Sequence, residues 1–149
     1  MGDVILNGQF PAKLKVTLDP GAYMPVRAHA TDAGLDLKAM ALSRVPANSF
    51  AMINTGVHVA IPDGCVGLLL SKSGLMARGL TCRGVIDSGY RGPIQAIVFN
   101  HTDTDYWFDA GDKVTQLVIE PCLLMAPELV KELDNTPRGA GGMGSTGKR

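Results

Sequence analysis

Apolar and polar positions alternate with period two in short runs along most of this chain, and glycine, proline or aspartate punctuates the runs. Residues 12–18, Ala-Lys-Leu-Lys-Val-Thr-Leu, carry the pattern of a half-buried strand. Between Ala30 and Ala39 the same period puts Leu35, Leu37 and Ala39 on one strand face and Asp36, Lys38 and Asp32 on the other. Residues 49–61 predict one or two strands with a bend at Gly56. Asp63-Gly64 is a turn signal before the short buried strand 65–70. That strand delivers Ser71-Lys72-Ser73-Gly74, and the following Leu-Met-Ala-Arg-Gly predicts a helix of one or two turns. Residues 80–87 and 92–100 read as the arms of a β-hairpin, with a glycine-bounded turn between them. The aromatic stretch between Asp105 and Asp109 reads as a loop, residues 114–119 as a strand, and 122–133 as a strand or short helix.

Many short strands, frequent turns and little helix predict an all-β domain, an antiparallel barrel or distorted jelly roll. Residues 1–134 form that domain in this reading. From 135 to 149 the glycine-rich composition has almost nothing to bury and predicts a flexible C-terminal arm.

Composition narrows the chemistry. Formal net charge is zero with both signs mixed, so no basic stripe points to a nucleic-acid polymer and no basic amphipathic helix to a membrane surface. No apolar run is long enough to span a bilayer. Cys65, Cys82 and Cys122 lie in apolar segments without CxxC spacing and read as reduced core residues, which suits an intracellular, cytoplasmic setting. His29, His58 and His101 lack zinc-type spacing.

The hairpin Gly84-Val85-Ile86-Asp87-Ser88-Gly89-Tyr90-Arg91-Gly92 is the richest stretch. Asp87 stands where an arm becomes a turn, Tyr90 offers a flat ring, Arg91 a charge, and the glycines expose backbone N–H and C=O groups. A small planar base with donors and acceptors along one edge would suit it. Ser71-Lys72-Ser73-Gly74 can offer hydroxyls, an ammonium group and free amides to an anion, or simply cap a helix with a serine. The tail matches GxGxxG at 139–144 and GxxxxGK at 142–148. No helix follows either, so neither a dinucleotide fingerprint nor a phosphate-binding loop is present.

Taken in order, the blocks AGxDL (Ala33 to Leu37), KSG (Lys72 to Gly74), GVIDxxYRG (Gly84 to Gly92), GDxxxQLV (Gly111 to Val118) and RGxGGxGSTG (Arg138 to Gly147) resemble the five motifs of the trimeric dUTP pyrophosphatases. The resemblance implies hydrolysis of dUTP to dUMP and pyrophosphate with Mg²⁺, in a homotrimer with three shared sites. It would limit uracil incorporation into DNA and supply dUMP for thymidylate synthesis. By position, Asp87 becomes the general base that activates water for attack on the α-phosphorus. Gly84, Val85 and Ile86 read uracil through the hairpin backbone, and Tyr90 crowds out a 2′-hydroxyl. Asp36 lies near the metal through water. Lys72, Ser73, Gly74 and Gln116 bind phosphates. Arg138, Met143, Gly144, Ser145 and Thr146 belong to an arm that closes over the nucleotide.

Two positions depart from the family pattern. Lys72 replaces an arginine, keeping charge but losing the planar fork, and Met143 replaces an aromatic residue that stacks on uracil. A related fold, dCTP deaminase, requires a glutamate near the base, yet Glu120, Glu128 and Glu132 all lie well beyond the hairpin. A nucleotide-sensing protein that signals through a regulatory partner is the other alternative.

Overall fold

The computed structural model describes residues 13–142. Its strands are β1 (Lys15–Leu18), β2 (Leu35–Lys38), β3 (Ser43–Val45), β4 (Ser49–Asn54), β5 (Val57–Ala60), β6 (Cys65–Leu70), β7 (Leu80–Ile86), β8 (Gln95–Asn100), β9 (Tyr106–Phe108) and β10 (Lys113–Pro121). One short helix, α1 (Ser73–Met76), joins β6 to β7. The expected all-β, jelly-roll-like architecture is the one found.

Six strands hydrogen-bond in the order β2-β10-β6-β7-β8-β4, and two ribbons, β1-β5 and β3-β9, complete the fold. Every strand pair is antiparallel. Alternation works as the sequence predicts: on β6, Cys65, Gly67 and Leu69 are buried and their neighbours half-exposed. Leu37, Val57, Val59, Ile61, Leu69, Ile94, Val98, Phe108 and Leu117 meet in one core. Burying such side chains contributes about 1.5–3 kcal/mol each, the main favourable term in folding.

Four readings need correction. Residues 106–108 form a strand: flanking aspartates suggest a loop, but Asp105 accepts from Arg44 Nε at 2.6 Å and from the Ala47 N–H at 3.0 Å, anchoring β9 beside β3. Asp32 lies in a turn, where it accepts from the His29 N–H at 3.0 Å, and so shares no strand face with Asp36. The segment 122–133 is neither strand nor helix. Leu124, Met125, Leu129 and Leu133 stand 81%, 82%, 99% and 82% exposed, because no described residue covers them. Finally, the hairpin glycines at 84, 89 and 92 do not use positive φ. Gly56, by contrast, does bend the chain between β4 and β5 at φ +63°.

Candidate active site

The strand β10 carries Lys113 and Gln116, and a bulge decides how they point. Its register against β2 slips between Lys113 and Thr115, so Val114 and Thr115 are buried in succession. Without the slip Lys113 and Gln116, three residues apart, would face opposite sides. With it, both line one cleft of about 460 Å³ together with Asp32, Gly34, Asp36 and Lys72. Gln116 stands opposite Asp36 in the ladder and lies over Gly34, where a Cβ would come within 3.0 Å of the Gln116 Cβ and Cδ. That explains the glycine of the first block: any side chain there would displace Gln116.

Asp36 is 4% exposed and sits between two lysines. Lys72 Nζ donates to Oδ1, and Lys113 Nζ forms an ion pair with Oδ2 at 2.7 Å. Burial pushes the Asp36 carboxyl up, but the Lys113 and Lys72 ammonium groups outweigh it and hold it below the ordinary carboxylate value of 3.8. The side chains of Lys72 and Lys113 meet both of its oxygens.

Ser71 fixes the loop that presents the second block. Its hydroxyl donates to the Cys82 carbonyl at 3.0 Å and accepts from the Cys82 N–H at 2.7 Å, while Gln116 Nε2 donates to the Ser71 carbonyl at 3.2 Å. The helix N-cap is Lys72, with no side-chain cap, so the serine-cap reading of this block fails. Ser73 and Gly74 are exposed, and a second cleft of about 240 Å³ is lined by Lys72, Ser73, Gly74, Arg78 and Lys113. Lys113 thus borders both clefts. Sequence reasoning missed it; the polar pair Thr115-Gln116 between apolar Val114 and Leu117, which breaks the period-two alternation of β10, is the signal that could have found it.

The hairpin is built differently. The β7–β8 ladder ends at Cys82↔Val98. Beyond it β7 pairs only with β6, from Arg83 to Ile86, and β8 only with β4, from Gln95 to Ile97. The two inner edges therefore face each other without a ladder, leaving backbone donors and acceptors between them. Ile86 is buried, Val85 is 63% exposed, and Gly84 packs its backbone on Leu69. Tyr90 folds over Gly92 and donates to the Pro93 carbonyl at 3.0 Å; a Cβ on Gly92 would lie 2.6 Å from the ring carbon Cζ. The Arg91 guanidinium donates to the Ser88 and Tyr90 carbonyls at 2.5 and 2.8 Å, so it braces the turn rather than offering a free charge.

Asp87 is exposed, and its carboxylate makes no hydrogen bond or ion pair among the described residues. It lines neither lysine cleft. One chain therefore assembles Asp36, Lys72, Ser73, Gly74 and Gln116, and holds Asp87, Gly84, Val85, Ile86 and Tyr90 apart from them. Arg138 is exposed on the arm, with Nε donating to the Gly141 carbonyl at 3.0 Å. Met143, Gly144, Ser145 and Thr146 lie outside the described residues.

For Mg²⁺ the donor set is instructive. No group of three or more His, Cys, Asp or Glu side chains clusters among the described residues. Asp36 is the buried carboxylate of the cleft, already paired with the Lys72 and Lys113 ammonium groups. Without a ligand cluster the cleft suits an ion that keeps most of its water and takes its other ligands from phosphate oxygens.

Comparison with known proteins agrees with this geometry. The dUTPase family model matches residues 21–147. Deoxyuridine 5'-triphosphate nucleotidohydrolase of Solanum lycopersicum is 37% identical over 143 residues, 95% of this chain and 85% of the relative. The rice protein of the same name is 42% identical over 134 residues, 87% of this chain and 77% of the relative. Among solved structures, Staphylococcus bacteriophage 80alpha dUTPase with dUPNHPP is similar at a TM-score of 0.85 and 31% identity, covering 91% of this chain and 99% of that one. A dUTPase mutant from phage phi11 of S. aureus, solved for its coordination of a structural Mg(II) ion, is similar at a TM-score of 0.74 and 32% identity, over 80% and 97% of the two chains. The match spans all five blocks, and the chain belongs to the dUTPase family.

Proposed function

We propose that this protein hydrolyses dUTP to dUMP and pyrophosphate, as a homotrimer in which the lysine cleft and the hairpin of one site come from different subunits. The observation that carries the substrate is the open hairpin. Uracil presents an acceptor, a donor and an acceptor along one edge, and unpaired strand edges offer matching backbone groups at fixed spacing. Tight walls around the base leave no room for a 5-methyl group, and Tyr90, held over Gly92, fills the space a 2′-hydroxyl would need.

Lys72, Lys113 and Gln116 line the clefts that would take the triphosphate, with Ser73 and Gly74 beside them. Cations fixed in place before the ligand arrives cost no reorganisation when charge develops on the phosphorus. Asp87 orients a water and takes its proton as that water attacks the α-phosphorus, a role worth about 10²–10⁴ in rate. Its lack of protein partners leaves both carboxylate oxygens available for that water. Mg²⁺, when bound to the triphosphate, would neutralise phosphate charge, with Asp36 reaching it through water. Arg138, Met143, Gly144, Ser145 and Thr146 would close over the nucleotide and exclude bulk water. Removing dUTP keeps uracil out of DNA, and the dUMP formed feeds thymidylate synthesis.

The exposed apolar residues from Leu123 to Leu133 support the assembly, since so much apolar surface on one segment suits burial against another copy. The test is pyrophosphate release from dUTP, dTTP, dCTP and UTP, with Mg²⁺ and with EDTA. Metal-dependent turnover of dUTP alone is the expected result. Comparable turnover of dTTP or dCTP would overturn the base-reading role of the hairpin.

A further inference from the structure

His58 sits on β5, between the turn that follows β1 and the return limb of the hairpin. Its Nδ1 lies 2.7 Å from the Arg91 carbonyl oxygen, and its Nε2 lies 3.0 Å from Asp19 Oδ1. A carbonyl and an ionised carboxylate can only accept, so both ring nitrogens must carry hydrogen to satisfy both contacts. That form is the imidazolium. A neutral ring has one N–H and turns a bare lone pair toward one of its two acceptors.

The contact is the outermost tie between hairpin and barrel on that limb. Nearer the barrel, the Ile94 N–H donates to the Val57 carbonyl at 2.8 Å, and the Thr55 N–H donates to the Ile94 carbonyl at 3.2 Å. Beyond Arg91, among the described residues, the turn is held by its own groups: Arg91 on the Ser88 and Tyr90 carbonyls, the Tyr90 N–H on the Asp87 carbonyl at 3.0 Å, and the Tyr90 hydroxyl on the Pro93 carbonyl at 3.0 Å. The segment from Asp87 to Tyr90 is therefore anchored at Ile86, paired to β6, on one side and at the pinned Arg91 on the other.

We propose that His58 is a positioning residue, which in its charged form pins Arg91 and with it the hairpin that carries Asp87 and Tyr90, and which loosens the hairpin when it loses its proton. The proposal rests on the base-reading role given to the hairpin above.

Two neighbours favour the charged form, and burial and Lys15 oppose it. Asp19 faces the ring from the turn after β1. From β1 itself Thr17 stands opposite His58 and is neutral, with Lys15 two residues along the same face. From the hairpin comes the Arg91 carbonyl, whose own guanidinium is turned into the turn. The Arg91 carbonyl first, and Asp19 next, raise the His58 pKa above its ordinary 6.5. A raised folded-state value means the contact is complete below 6.5 and is lost as pH rises through the elevated value.

The test compares wild type, His58→Ala and Asp19→Asn by KM and kcat for dUTP from about pH 6 to about pH 9. The ring of His58 and the Tyr90 and Gly92 amides are followed by NMR over the same range without nucleotide. Wild-type KM rises about fivefold more across the range than that of His58→Ala, the scale of one partly exposed charge-assisted hydrogen bond, with kcat changing less. His58→Ala is already weak at low pH, and Asp19→Asn moves the wild-type inflection to lower pH. The Tyr90 and Gly92 amides titrate with the ring. Parallel KM profiles for wild type and His58→Ala, or hairpin amides indifferent to the ring, would overturn the proposal. A chain that turns over no dUTP while those amides follow the ring would overturn the proposed function and support the coupling.

Discussion

In the cleft, the charges are engaged before any ligand arrives: Asp36 is buried between Lys72 and Lys113, and Gln116 is tied to the Ser71 carbonyl. In the hairpin, Asp87 has no partner among the described residues and two strand edges stand open. The contrast matches what the proposed function asks each region to hold. A triphosphate needs fixed positive charge, which must itself be kept in place by a counter-charge while the site is empty. A general base needs a free carboxylate, and a base-reading edge needs unpaired backbone. The cleft is therefore a rigid electrostatic element, and the hairpin an exposed one whose position depends on contacts at its root.

Substitutions can break this contrast in graded steps. Removing the free carboxylate has the largest effect: Asp87→Asn lowers kcat about 10³-fold while a non-hydrolysable dUTP analogue binds nearly as well, checked by pyrophosphate release and calorimetry. Equal losses in kcat and in affinity would mean that Asp87 also shapes the pocket. Next is the cleft. Lys113→Met raises KM for dUTP about tenfold, the weight of one charge-assisted contact, and changes kcat less. An unchanged KM would leave Lys113 as mere support for Asp36.

The cleft also answers to acid. Because the Asp36 carboxyl is held below 3.8, its ion pairs stabilise the fold fully above that value and are lost as pH falls through the depressed one. Thermal unfolding therefore shows an acid limb in wild type that is shallower in Asp36→Asn. Arg44 and the Ala47 N–H lower Asp105 too, so some limb survives. A smaller change comes from the hairpin. Gly92→Ala pushes the Tyr90 ring away and narrows the preference for dUTP over UTP about tenfold, measured as the ratio of kcat/KM values. Smallest is the arm: Met143→Phe raises kcat/KM for dUTP about threefold if tail stacking contributes, since an aromatic ring covers a base better than a thioether.

Much of this was legible in the chain. Period-two alternation placed β6, β7, β8 and the centre of β10, and Gly56 its bend, because one face of each strand must be buried. The five blocks named the cleft residues and the hairpin. What alternation cannot carry is its own interruption. The bulge at Val114 and Thr115 brings Lys113 beside Gln116, and only the register against β2 reveals it. Burial of Asp36 was equally hidden, since the lysines that cover it come from positions 36 and 77 residues further along the chain. The aromatic strand β9 was masked by flanking aspartates, one of which, Asp105, finds its partners Arg44 and Ala47 far away in sequence. The apolar run after Pro121 looked like an element because its hydrophobicity was real, but among the described residues it packs against nothing.

The central claim, that cleft and hairpin meet only between copies of the chain, has a direct measurement. Asp87→Asn and a Lys72→Met/Gln116→Ala variant, each inactive alone, are mixed, dissociated and reassembled, and dUTP turnover is assayed. Sites that draw Asp87 from one subunit and Lys72 with Gln116 from another regain activity, so a substantial fraction of the wild-type rate is predicted. If the reassembled mixture stays as inactive as its parents, the cleft and hairpin of each site belong to one chain, and the account is contradicted.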